Sequence, residues 1–130
     1  MLSPSNRLTS PVHFREVVRR GRRSGGPLVV VHLLAPEVER AHPGAPAEPR
    51  VGFVVSKAVG PAVTRNKVAR RLRHLARART SVLPPHGMLV VRALPPAAYA
   101  SYDELARELD RCLAKLGVSA NLAATAEVGG

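Results

Sequence analysis

Between Pro49 and Tyr102 the chain carries no Asp or Glu, although ten Arg or Lys residues fall in the same interval. That absence excludes a two-metal nuclease centre in the middle of the chain, since such centres need clustered carboxylates. Exposed helices ordinarily relieve like charge by pairing Glu with Lys at i,i+4. A basic stretch without such relief points to an anionic partner, nucleic acid before any other. Cysteine is almost missing too. The single Cys112 excludes an internal disulfide and a Cys-based zinc site, and its place among leucines at helical spacing reads as a buried small apolar residue. Aromatic residues are 3% of the chain and Trp is absent. Extensive base stacking is therefore not available, and a polyanion must be held mainly through its backbone. Long apolar runs are lacking as well: residues 28–34 form the longest, against the ~20 residues of a membrane helix. No signal peptide is visible. No membrane partner is expected, and the cytoplasm is the expected compartment.

What is present is positive charge. The formal net charge is +11 and the pI about 11.5, with 17 of the 20 basic residues being Arg. Arginine offers phosphate a planar fork and also stacks on bases, which suits RNA. With 130 residues the chain is long enough for one domain with a modest core.

Local signals divide the chain into alternating elements. Ser10-Pro11 reads as N-cap and first helical residue, and Gly21 as a stop. Phe14, Val17 and Val18 form the apolar stripe between them. Residues 22–27 are a basic, Gly-rich turn with room for a short strand. The β-branched run 28–34 is a strand, and residues 35–49, with four prolines and three glutamates, a flexible surface loop. A second strand covers 51–56. Gly60-Pro61 then opens a basic helix reaching Arg79. Residues 84–87 are a turn, 88–93 a third strand, and Ser101-Tyr-Asp-Glu104 a capping box. Leu105, Leu109, Cys112, Leu113 and Leu116 carry the last helix to Gly117. The domain is expected to span residues 1–117, followed by a disordered tail, 118–130. One central sheet with helices packed on it follows, an α+β sandwich. The link from the second clear strand to the third would be a parallel crossover, and such crossovers are right-handed in about 98% of cases.

The basic helix is the most distinctive element. At about 100° per residue, Val68, Leu72, Leu75 and Ala76 share one stripe. Lys67, Arg70, Arg71, Arg73 and Arg77 fan across the other side, and Arg65 near the apolar side fits only if the first turn overhangs the sheet edge. One face packs on a core while the other offers fixed cations.

Arg50-Val-Gly-Phe-Val-Val-Ser-Lys57, then Gly60, Ala62-Val63 and Arg65-Asn66-Lys67 with Arg70 and Arg73, resemble the signature of the bacterial ribonuclease P protein subunit. The similarity extends upstream to Asn6-Arg7-Leu8 and Phe14. It implies a ribosomal-protein-like fold with the rare left-handed β-α-β crossover. It also implies an endoribonuclease whose active site is RNA, with Mg²⁺ required by the RNA and no cofactor bound by the protein. The implied partners are the catalytic RNA and the single-stranded 5′ leader of precursor tRNA, with no small-molecule substrate. On this resemblance RNA would meet Ser56, Lys57, Arg65, Asn66, Lys67, Arg70 and Arg73, to which the helical wheel adds Arg71 and Arg77 on the same basic face. The leader would lie in a cleft near Phe14, Val18 and His32, and strand alternation adds Arg92 to that cleft. The family often has a second aromatic where Val18 stands and a tyrosine where His32 stands. Lys67 replaces the last Arg of its motif.

Strand alternation supplies an independent sign. His32 and Arg92 interrupt otherwise apolar strand faces and mark a face left partly open. Phe14 and Val18, one turn apart, would border a groove there, and on the sequence alone Phe14 suits either that groove or the core. A catalytic side chain is not expected. Of the five histidines, none is paired at general acid–base or metal-ligand spacing, and no P-loop occurs. The rival reading is a structural rRNA-binding protein of similar fold, which has no reason to carry the Ser56-Lys57 to Arg73 motif together with Phe14.

Overall fold

The computed structural model describes residues 6–35 and 48–118. Its elements run α1 (Pro11–Arg20), β1 (Arg22–Gly25), β2 (Val29–Leu34), β3 (Arg50–Val54), α2 (Ala62–Arg77), β4 (Met88–Ala93) and α3 (Tyr102–Lys115). The strands form one mixed sheet in the order β1-β2-β4-β3. β1 and β2 pair antiparallel, as do β2 and β4, whereas β3 runs parallel to β4. The parallel pair is joined through α2, and the α+β sandwich expected from the sequence is the one observed. The basic Gly-rich segment after α1 folds as β1, pairing Arg22 with Leu33 and Gly25 with Val30.

The two-residue period of the strands sorts their side chains onto two faces. Val29, Val31, Leu33, Val51, Leu89 and Val91 turn toward Leu72 and Leu75 of α2 and Leu105, Leu109 and Leu113 of α3, building the larger core. Met88 and Val90 point to the opposite face, where Val17 of α1 and Leu8 close a smaller cluster, with Phe14, Leu34 and Val54 packed at its margin. Fully burying a Leu side chain stabilises by roughly 1.5–3 kcal/mol. The five fully buried leucines of α2 and α3 therefore fix those helices firmly enough to leave their polar sides free for other work.

The helix ends follow local chemistry. The Ser10 side chain accepts from the His13 amide, with Pro11 in the first turn, and the Gly21 amide closes α1 on Val17 O. α3 opens on the complete Ser101–Glu104 capping box. Glu108, only 3% exposed, accepts from the amides of Leu28 and Val29, both at 2.6 Å, and from Arg111 at 2.9 Å. A buried carboxylate holding three donors clamps the β1–β2 turn onto α3. Val118, which the sequence places in the tail, is 8% exposed and donates its amide to Leu113 O. Residues 119–130, and residues 36–47 of the expected loop, lie outside the described residues.

Candidate nucleic-acid interface

β3 is one of the two edge strands of the sheet, and that position creates the site. One end of its outer edge is covered by the N-terminal segment. The Leu8 amide donates to Val51 O at 2.9 Å, Arg7 forms a single parallel bridge with Val51, and Asn6 Nδ2 donates to Pro49 O at 2.8 Å. Beyond that cover the edge opens onto a cleft of about 480 Å³. Phe14 of α1 borders it on one side and Arg65, Asn66, Ala69 and Arg73 of α2 on the other, with Gly52, Phe53 and Val55 as the strand between them and Arg7 at one end. The Phe14 ring is half-buried: it packs on the smaller core and also walls the cleft. Gly52 lets it in, since a Cβ there would lie 2.2 Å from Phe14 Cζ.

After β3, Ser56 and Lys57 are exposed and enter a 3₁₀ turn, Lys57–Val59. Gly60 follows at φ 150, ψ −170, a conformation essentially reserved for glycine. Pro61 is the N-cap, so α2 begins at Ala62, one residue later than the sequence suggested. Arg65 overhangs as its wheel position required: Nε donates to Gly60 O at 3.1 Å, and the residue lines the cleft at the sheet edge. The four residues of the expected apolar stripe, Val68, Leu72, Leu75 and Ala76, are all buried.

The cations of α2 divide by flank. Arg65 and Arg73, with Asn66, face the cleft. Lys67, Arg70 and Arg77 are exposed. Arg71 is half-buried and donates to Ala100 O at 3.0 Å, one turn before His74, whose Nδ1 is hydrogen-bonded to the Tyr102 hydroxyl at 2.6 Å. The helix closes at Arg77 rather than Arg79. Arg79 turns inward, forking onto Asp110 at 2.5 and 3.0 Å and donating to Leu75 O. Its hydrogen bond to Asp110 holds the guanidinium pKa above the ordinary arginine value.

The other residues singled out for the cleft take different places. Val18 is 41% exposed on α1, a turn beyond Phe14. Arg92 is exposed on the α1 face of β4, opposite Val30 and Val54. His32 is on that face as well but only 8% exposed, opposite Arg23 and Val90. Burial first, then the charges of Arg23 and Arg92, lower its pKa and so disfavour the charged form. Its Nδ1 is buried with no hydrogen-bond partner among the described residues. Val18, His32 and Arg92 are thus not in the wall of the 480 Å³ cleft, which Phe14 shares with α2 instead. Periodicity missed Arg7, which reaches the cleft only because the N-terminal segment docks on β3. Among the described residues no group of three or more His, Cys, Asp or Glu is placed to hold a metal ion, and no helix is long and apolar enough to cross a membrane.

A sheet edge flanked by an arginine-bearing helix with no acidic residue of its own defines a small basic α+β protein built to meet a polyanion. The family model described as Ribonuclease P matches residues 2–117, and the chain belongs to that family. It is 59% identical over 117 residues to the ribonuclease P protein component of a Nocardioides species, covering 90% of this chain and 96% of that protein. It is 55% identical over 117 residues to the protein component of Streptomyces avermitilis, covering 89% of this chain and 95% of the relative. Among solved structures, the RNase P protein of Staphylococcus aureus superposes with a TM-score of 0.74 at 23% identity, covering 87% of this chain and 96% of that one. That of Thermotoga maritima, in complex with 1-(4-fluorophenyl)-2-thiourea, gives 0.66 at 21% identity, covering 79% and 92%. These two likenesses bear on the fold. The family makes the chain a protein subunit of ribonuclease P, a ribonucleoprotein endoribonuclease of tRNA processing, and the structural rRNA-binding alternative is not favoured.

Proposed function

We propose that this subunit contributes no catalytic side chain and acts by holding two RNAs together. The single-stranded 5′ leader of precursor tRNA would occupy the cleft beside Phe14, and the exposed cations of α2 would rest on the catalytic RNA. The observation that carries this reading is the cleft itself. It gathers Phe14, Arg65, Asn66 and Arg73 from separate stretches of the chain around one strand edge. A single strand gripped there meets two aromatic residues, Phe14 and Phe53, and several guanidinium groups, a combination that binds without demanding a fixed sequence. Neither exposed Val18 nor the buried His32 adds an aromatic ring to that lining, so the grip rests more on charge and shape. Exposed Arg92 would extend the basic track along the α1 face of the sheet.

Two RNA backbones repel each other. A protein with guanidinium groups on more than one side of α2 lowers that repulsion and releases condensed counterions from both. Hydrolysis and its Mg²⁺ would belong to the RNA, with no cofactor held by the protein, and the compartment would be the cytoplasm. The test is reconstitution with a bacterial ribonuclease P RNA at low Mg²⁺, using precursor tRNAs with long and with truncated leaders. The protein is expected to promote removal of the long leader and to lose its advantage as the leader shortens. Failure to promote cleavage, or promotion that ignores leader length, would overturn the reading.

A further inference from the structure

Tyr99 is 92% exposed, more than Val63 at 81%, Val12 at 61% or Val18 at 41%. It is one of only four Phe, Tyr and Trp residues in the chain. It ends the 3₁₀ segment Pro95–Tyr99, whose support is firm. Ala97 is fully buried and Ala100 is 7% exposed, and Ala100 O receives the Arg71 guanidinium of α2. Folding therefore holds the backbone on both sides of Tyr99 while the phenol ring stays outside, giving the domain almost no burial in return.

The elements packed against this segment carry cations. On α2 the flank that reaches this segment through Arg71 also carries Val63 and Lys67, since the three are spaced i, i+4, i+8. Val63 and Lys67 are exposed, and Arg71 is half-buried at its bond to Ala100. Lys57 is exposed on the 3₁₀ turn Lys57–Val59, which packs against Pro95–Tyr99. The nearest carboxylates in sequence are those of Asp103 and Glu104, and Glu104 turns back to the Ser101 amide. This flank of α2 is not the one that lines the cleft, where Arg65, Asn66 and Arg73 sit.

We infer that Tyr99 is a stacking platform for an unpaired nucleotide of the catalytic RNA, with Lys57 and Lys67 placed for the adjoining phosphates. The inference rests on the functional reading above and extends it: α2 is a wedge with leader on one flank and catalytic RNA on the other. An isolated ring among cations has the chemistry of a base platform. A protein partner would ask for a broader apolar patch with acidic residues to match.

The experiment measures binding of the full chain to a bacterial ribonuclease P RNA for the parent, Tyr99→Phe, Tyr99→Leu and Tyr99→Ala. Because the side chain is exposed, all four are expected to fold alike. Tyr99→Phe keeps the ring and should bind as the parent does. Tyr99→Leu and Tyr99→Ala should each weaken binding about tenfold, the order expected for one stacked base. The gain in precursor affinity conferred by the leader should not change. The chain has no Trp and two Tyr, so in a Tyr102→Phe background Tyr99 is the only such fluorophore, and its emission should be quenched when the RNA is added. Parent-like affinity for Tyr99→Ala, parent-like affinity for Tyr99→Leu, or unquenched emission would each overturn the inference while leaving the functional reading intact. A parent chain that failed to bind the RNA at all would sink both.

Discussion

The Phe14 ring lies so close to the Gly52 backbone that a methyl group on the glycine would sit 2.2 Å from Cζ and under 3 Å from both Cε atoms. Helix α1 and edge strand β3 thus meet through an aromatic face on bare backbone, and the same ring walls the cleft. Gly52→Ala is therefore expected to push Phe14 out of place. Overpacking of this kind costs about 1–3 kcal/mol, and the ring would no longer stand square to a bound strand. Denaturant unfolding and leader binding should both deteriorate. In the double variant with Phe14→Ala the clash has no partner, so the two losses should combine to less than their sum. Additive losses would show that Phe14 is not what Gly52 makes room for.

Arg79 illustrates a cation that looks available in sequence and is not. It lies in the interval with no acidic residue, yet its guanidinium forks onto Asp110 of α3, 31 residues away. With Arg79 15% and Asp110 35% exposed in their side chains, the pair is sheltered enough to matter. Asp110→Ala is expected to lower stability by about 1.5 kcal/mol, the lower end of the range for hydrogen bonds to charged groups, and to leave RNA affinity near the parent value. A loss of RNA binding without loss of stability would move Arg79 from the fold to the interface.

These two residues also mark how far the sequence could be read. Period and spacing identified the buried stripe Val68, Leu72, Leu75 and Ala76, the Ser101–Glu104 box and three of the four strands, because each depends on residues within a few positions of one another. Strand order is a different matter. Nothing local says that β3 is an edge, or that Asn6 and Leu8 dock on it, and so Arg7 as a cleft residue was not legible. Arg71 and Arg79 had acceptors 29 and 31 residues away, which a helical wheel does not contain. Nothing local singles out Glu108 either: its oxygens find the amides of Leu28 and Val29 only where α3 meets the β1–β2 turn.

The flanks of α2 should separate in a salt titration. For single-stranded RNA each neutralised phosphate contributes about −0.7 to the slope of log affinity against log salt concentration. Arg70 is exposed and Arg73 lines the cleft. Replacing either by Ala should flatten the slope by about that amount while stability stays near the parent value. Arg71→Ala should behave in the opposite way, lowering stability through the lost bond to Ala100 O and changing the slope less. Equal slope changes for all three would show that Arg71 leaves its carbonyl to meet RNA.

His32 supplies the pH prediction. Burial and the neighbouring charges of Arg23 and Arg92 push its pKa below the ordinary 6.5, so at pH values under 6.5 the unfolded chain binds more protons at this site than the folded one. Stability then rises with pH across that window. The contribution is fully present above about 6.5, the reference value for the unfolded chain, and is lost as pH falls through the lower folded value. His32→Leu removes the proton site. It also removes a buried Nδ1 that has no hydrogen-bond partner among the described residues, so no bond through that nitrogen is broken. Unfolding followed by circular dichroism from pH 7.5 to 5 should show a shallower decline for the variant than for the parent, with the two curves diverging only below about 6.5. His13, His42, His74 and His86 are common to both proteins and cancel in the comparison. Parallel curves would mean that His32 is solvated well enough to take up its proton in the folded state, and that the α1 face of the sheet is open there as well as at Arg92.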